Sequence, residues 1–160
     1  MIVIVIILAL IIISAVVYYF LKKGAVKNTA LSFRSAMELT NLPVVTFYSG
    51  KKKLNMLLDT GSTDNIISKE HLESVYFTQT GEKRPVFGKD GIITYDEVVN
   101  TTISYSGLKF DVAVLSTDMK DAFDIIKKES GVTIHGILGN NFFTRYQYVL
   151  DFDKLMFYKK

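Results

Sequence analysis

Two hydrophobic patterns divide this chain. Ile2 to Leu21 is a run of twenty positions without a charge, with Ser14 its one small polar residue. From Leu42 onward, apolar residues come instead in short β-branched and aromatic runs separated by turn residues. Val44–Tyr48 and Leu54–Leu58 read as strands joined at Ser49-Gly50-Lys51, the second buried because it is mostly apolar. Ile66-Ile67 resumes the apolar run, and Ser68 is placed to cap a short helix through Leu72. Val86-Phe87 and Ile92–Tyr95 flank Gly88-Lys89-Asp90-Gly91, a hairpin signal with Asp-Gly at the tip. Val98–Tyr105 and Leu108–Leu115 flank a second turn at Ser106-Gly107. Thr117 or Asp118 caps a helix with Met119, Ala122, Phe123 and Ile126 on one face, ended by Gly131. Ile134–Leu138 reads as a short strand, Asn140–Tyr146 as a brief helix, and Tyr148–Phe152 with Leu155–Tyr158 as a closing hairpin. Many short strands with two or three short helices predict an all-β domain, a small barrel or sandwich.

The first run calls for a different environment. Twenty residues at about 1.5 Å each span roughly 30 Å, the thickness of a bilayer's hydrocarbon core. Tyr18, Tyr19 and Phe20 stand where aromatic rings favour the headgroup level, and Lys22, Lys23 and Lys27 follow. A cleaved signal peptide would need a basic start, a shorter apolar run and a small-residue cleavage site; this run has none of them. The reading is a single-pass anchor lying in the lipid bilayer through residues 2–21. Its positive C-terminal flank places the main domain in the cytoplasm. Residues 1–23 are then anchor and basic flank, 24–41 a linker with some helical character, and 42–160 the folded domain.

Composition narrows the chemistry. The chain of 160 residues has no cysteine, which excludes disulfides, thiol catalysis and Cys-ligated zinc. The net charge of +3 owes much to the lysines after the anchor and to Lys51-Lys52-Lys53, read as a solvated hairpin end. No basic stripe interleaves with aromatics, so nucleic acid is not an expected partner. His71 and His135 lack metal-ligand spacing, and no metal site is expected.

One segment carries chemistry. In Leu57-Leu58-Asp59-Thr60-Gly61-Ser62 a carboxylate ends a buried strand, where it is costly unless donors hold it. Thr60 and Ser62 offer hydroxyls, and Gly61 lets a second backbone approach closely. The arrangement suits a carboxylate set against a symmetry mate. Two carboxylates a few ångströms apart share a proton, so that one serves as general base on water and the other as acid.

Asp59-Thr60-Gly61-Ser62, the hairpin from Gly88 to Gly91 and Ile137-Leu138-Gly139 together resemble the retropepsin-like aspartic proteases, in the same order and over about residues 42 to 160. Val149–Phe152 is similar to the strand that closes many single-lobe members. The resemblance implies a small closed barrel of the acid-protease type and hydrolysis of a peptide or protein substrate, with no cofactor. It implies that Asp59 is the catalytic acid/base, that Thr60 bonds across a dimer axis and that Gly61 bonds substrate backbone. Gly88, Lys89, Asp90 and Gly91 would form the tip of a flap over the substrate, and Ile137, Leu138 and Gly139 would brace the active-site loop. A single motif in one lobe implies a homodimer with one shared site. Viral members commonly carry an Asp two residues after the motif's Gly and an Arg after the second Gly; here those places hold Thr63 and Asn140. Asp64 or Asn65 is expected to supply the missing bonds, and confinement to a membrane plane to favour a weak dimer. A non-catalytic peptide-binding or dimerisation module with the same fold is the alternative. Ala30-Leu31-Ser32-Phe33 offers apolar residues for self-processing, against its plainer reading as a tether.

Overall fold

The computed structural model describes residue 7 and residues 10–19, 29–87 and 93–160. Nine strands are formed among them: β1 Val44–Ser49, β2 Lys52–Leu58, β3 Asn65–Ser68, β4 Phe77–Phe87, β5 Ile93–Tyr105, β6 Leu108–Thr117, β7 Gly136–Leu138, β8 Tyr148–Asp151 and β9 Met156–Lys159. The helices are α1 Phe33–Thr40, α2 Lys120–Ser130 and α3 Asn140–Tyr146, with a short 3-10 helix at Lys69–Ser74. One sheet runs β1-β2-β7-β3-β6-β5-β4, and a pairing of Tyr48 with Ser104 joins β1 to β5. Six strands therefore close into the expected small barrel, with β4 laid outside on β5. β8 and β9 form a separate hairpin.

Aromatic rings fill the barrel. Phe47 is fully buried and meets Tyr105, Phe110, Phe142 and Phe157 with centroids 5.2 to 6.3 Å apart. A second apolar cluster sits outside it, where Phe123 of α2 and Ala36 of α1 pack with Val44, Ile134 and Ile137.

The segment before the barrel is more than a tether. Ser32 caps α1: its hydroxyl accepts the Ser35 N–H, and the Ser35 hydroxyl accepts the Ser32 N–H. Phe33 and Ala36 are buried. Leu31 joins the sheet side of the core: its N–H donates to Thr46 Oγ1 (2.7 Å) and its carbonyl accepts the Thr46 N–H (2.9 Å). The Thr46 hydroxyl then donates to Asn55 Oδ1 (2.7 Å), and Asn55 Nδ2 donates to the Thr133 carbonyl (2.9 Å). A polar spine thus ties the chain's entry to β1, β2 and the approach to β7. Within Ala30–Phe33, Leu31 and Phe33 are buried and the Leu31 backbone is bonded, while Ala30 and Ser32 are exposed.

Three local expectations shift. β4 starts at Phe77, far before the Val86-Phe87 pair, because its polar residues are templated by β5 rather than by their own pattern. Ile92–Tyr95 and Val98–Tyr105 belong to one strand from Ile93 onward; Asp96 does not interrupt it, since this buried carboxylate takes Lys69 Nζ at 2.5 Å. Helix α2 has Met119 at its cap position, while the Asp118 carboxylate accepts the Lys120 N–H. Of the apolar run Ile2–Leu21, residues 10–19 are described and helical, the rest lying largely outside the described residues. Among the described residues no helix is long and apolar enough to cross a membrane.

Candidate active site

Asp59 follows directly on β2. Parallel pairing of Leu57 with Ile137 and Leu58 with Leu138 runs into the loop, where the Asp59 N–H donates to the Leu138 carbonyl (3.0 Å). The chain then turns back: Ser62 N–H donates to the Asp59 carbonyl (3.2 Å), and Gly61 N–H donates to Asp59 Oδ1 (2.9 Å). The carboxylate is half-buried, with Thr60 and Gly61 exposed at the rim. The Ser62 hydroxyl, expected beside the carboxylate, donates instead to the Asp64 carbonyl (2.9 Å) and shapes the loop.

Ile137, Leu138 and Gly139 lie directly against this loop. Ile137 pairs with Ile66 of β3, so β7 is held between the strands that enter and leave the Asp59 turn. Gly139 N–H donates to Asn65 Oδ1 (3.0 Å), and Asn65, itself buried, reaches the Ala113 carbonyl of β6 (3.2 Å). The first amides of α3 complete the brace: Asn140 N–H donates to the Ser62 carbonyl (2.7 Å) and Asn141 N–H to the Thr63 carbonyl (3.2 Å). Around Thr63 and Asn140 two backbone hydrogen bonds thus join the loop to α3.

Charge enters one residue later. Asp64 Oδ1 takes Arg84 Nη1 at 2.8 Å and Asn141 Nδ2 at 3.2 Å. Arg84 stands on β4 and also pairs with Glu82 (2.7 Å). Its guanidinium pKa is raised, first by the Glu82 bond; burial, the next largest effect, opposes the rise, and the charges of Glu82 and Asp64 add to it. Arg84 therefore clips the outer strand to the Asp59 loop. A cavity of about 460 Å³ opens beside this clip, lined in part by Asp64, Arg84, Asn141 and Arg145. Sequence pattern gave no sign of Arg84, because only the β4–β5 register carries it to Asp64.

Gly88, Lys89, Asp90 and Gly91 lie outside the described residues. The arm that leads to them is described: Lys83–Phe87 pairs with Ile93–Glu97, and β6 reaches only as far as Glu97. The arm thus projects beyond the barrel as a two-stranded ribbon. At its base the register slips between Gln79 and Lys83, with Gly81 at φ +77°. Such a bulge bends a ribbon and sharpens its twist. Replacing Arg84 with Ala is expected to cost about 1 kcal/mol or less in stability, as for other half-exposed ion pairs. Urea unfolding of the variant beside the parent checks it.

The two histidines meet, which their spacing did not foretell. Their ring centroids lie 4.6 Å apart. His135 Nδ1 accepts the Asn55 N–H (3.1 Å), while the His135 N–H donates to the Asn55 carbonyl (2.9 Å). Its pKa falls to about 4, first through burial and then through the charges of His71 and Lys127. Glu70 contacts His71 rather than His135. Because the folded pKa lies below the unfolded value of about 6.5, the neutral ring stabilises the fold fully above pH ~6.5. That contribution is lost as pH falls from ~6.5 toward 4. Urea unfolding should show lower stability at pH 5 than at pH 7.5. His135→Gln keeps an acceptor for Asn55 and should flatten this dependence. Among the described residues no three histidines or carboxylates converge as a metal site.

The aspartyl protease family matches residues 43–142. No curated protein matches the chain. Among solved structures, the chain is similar to the retroviral protease-like domain of Ddi1 from Leishmania major, with a TM-score of 0.49 and 13% identity, covering 74% of this chain and 88% of that one. It is also similar to the EIAV protease complexed with the inhibitor HBY-793, with a TM-score of 0.42 and 22% identity, covering 65% and 86%.

Proposed function

Since this chain belongs to the aspartyl protease family, we propose that it is an aspartic endopeptidase, active as a homodimer in which each copy supplies Asp59. One observation carries the reading: the Asp59 carboxylate is fixed by the Gly61 N–H and braced through Leu138, yet stands at an open rim with no second carboxylate motif in the chain. A symmetry mate completes it. The two carboxylates share one proton; the ionised one takes a proton from a bound water, which attacks the scissile carbonyl, while the protonated one donates to the carbonyl oxygen. The tetrahedral intermediate then breaks at the C–N bond as a proton passes to the leaving amine. The arm of β4 and β5, carrying Gly88 to Gly91, closes over an extended peptide held by strand-like hydrogen bonds.

Ile2–Leu21 serves as the anchor. Leu10, Ile11, Ile12, Ile13, Val16 and Val17 are all more than two-fifths exposed on the helical part, an apolar surface that suits lipid rather than water. The test is cleavage of an unbiased peptide library by the full chain in vesicles, with and without a statine-type transition-state mimic. Cleavage blocked by the mimic is the expected result. A folded, dimeric chain that binds peptides and cleaves none would make it a binding module instead.

A further inference from the structure

Lys52 and Lys53 fall on opposite faces of β2, and Lys51 stands in the turn before them. Lys52 is engaged: its ammonium donates to the Glu73 carbonyl and lies 5.4 Å from the Tyr76 ring centre. Beside Lys51 and Lys53 opens a cavity of about 680 Å³. Lys127 of α2, His135 and Thr29 also line it, and among the described residues no carboxylate does. Asp124, one turn from Lys127 on α2, is held by Lys120, and Glu70 by its contact with His71. The three ammonium groups along this lining give the corner a positive field.

Position gives the field a partner. The domain's described part begins at Thr29, inside the cavity lining. Only residues 22–28 separate it from Leu21, a stretch that reaches at most about 25 Å and carries Lys22, Lys23 and Lys27. Asp59 stands at the far end of β2 from Lys53, a strand length of roughly 20 Å. We propose that the face made by Lys51, Lys53 and Lys127 docks on the anionic headgroups of the bilayer that holds Ile2–Leu21, and so carries the Asp59 loop roughly 20 Å above the lipid surface. This rests on the anchor reading above. Three lysines close to an anionic surface shift the docked equilibrium roughly a hundredfold. The attraction fades within a Debye length of about 8 Å, so the face must touch the membrane.

Lysine footprinting tests it on the unmodified full chain. The chain is inserted in phosphatidylcholine vesicles or in phosphatidylserine-rich ones, acetylated for graded times and read lysine by lysine by mass spectrometry. Lys51, Lys53 and Lys127 are expected to react about tenfold more slowly on the anionic vesicles. Lys83, on the projecting arm, should react equally on both. Protection should vanish in about 1 M salt, where the Debye length is about 3 Å. Equal rates in both vesicles, with the chain resisting carbonate extraction, would overturn the docking and leave the anchor standing. Extraction of the chain by carbonate would remove the anchor and the docking together. The same protection by millimolar inorganic phosphate in detergent, without vesicles, would assign the cavity to a soluble anion and overturn the lipid assignment.

Discussion

Replacing Asp59 with Asn is expected to lower kcat/KM on any cleaved peptide by at least about a thousandfold, the scale of a lost general acid–base pair. The substitution is close to isosteric. An asparagine Oδ1 can still accept the Gly61 N–H, and neither the Asp59 N–H bond to Leu138 nor the Ser62 bond to its carbonyl involves the side chain. Thermal unfolding should therefore stay near that of the parent while turnover disappears. Mixing parent and variant tests the shared site further. If the copies exchange freely, an equimolar mixture holds about a quarter parent homodimers, and activity should fall to about a quarter. Retention of half would mean that each copy works alone, and the homodimer reading would fail.

The second large effect is steric. A Cβ on Gly139 would lie 2.3 Å from the Asp64 carbonyl oxygen and 2.7 Å from that of Ser62. Both are backbone atoms. Ser62 is fastened by Asn140 and Asp64 by Arg84 and Asn141, so neither can withdraw without moving the loop that presents Asp59. Gly139→Ala is expected to cost about 3 kcal/mol or more, since overpacking against fixed backbone exceeds the usual small-to-large penalty. Activity should fall even in the fraction that stays folded. Gly107→Ala is the comparison: its position has open space but φ +81°, so only backbone strain of about 1 kcal/mol is expected. Melting curves of the two variants separate clash from strain. A Gly139→Ala protein that melts with the parent would show that the brace is slack.

Much of this was readable in advance, and the limits have physical causes. β2 and β6 follow from a buried face that sets their period, and β1 from a β-branched and aromatic run that is buried at nearly every residue. The Asp59 turn and its brace at Ile137–Gly139 were legible as short motifs, since glycine is required where backbones nearly touch. β4 was not legible. Its Thr78–Lys83 stretch is polar and exposed, and only pairing with β5 makes it a strand. Arg84 stayed hidden with it. Leu31, Phe33 and Ala36 show no single stripe, because Phe33 packs into the barrel core while Leu31 and Ala36 join the cluster outside it. The Thr46–Asn55 contact and the His71–His135 contact join residues far apart in sequence, which no local pattern encodes.

The polar spine at the chain's entry also fixes how the molecule bears load. Tension on the N-terminal segment would reach the barrel at Leu31, and Leu31 grips β1 at Thr46, in the middle of the strand rather than at its end. Val44 to Ser49 is also laddered residue by residue to β2, from Val44 opposite Leu57 to Ser49 opposite Lys52. A pull along β1 must shear several of these bonds at once instead of opening them singly. The barrel would therefore hold as a fixed post at Thr46 and resist being peeled open from the end of β1.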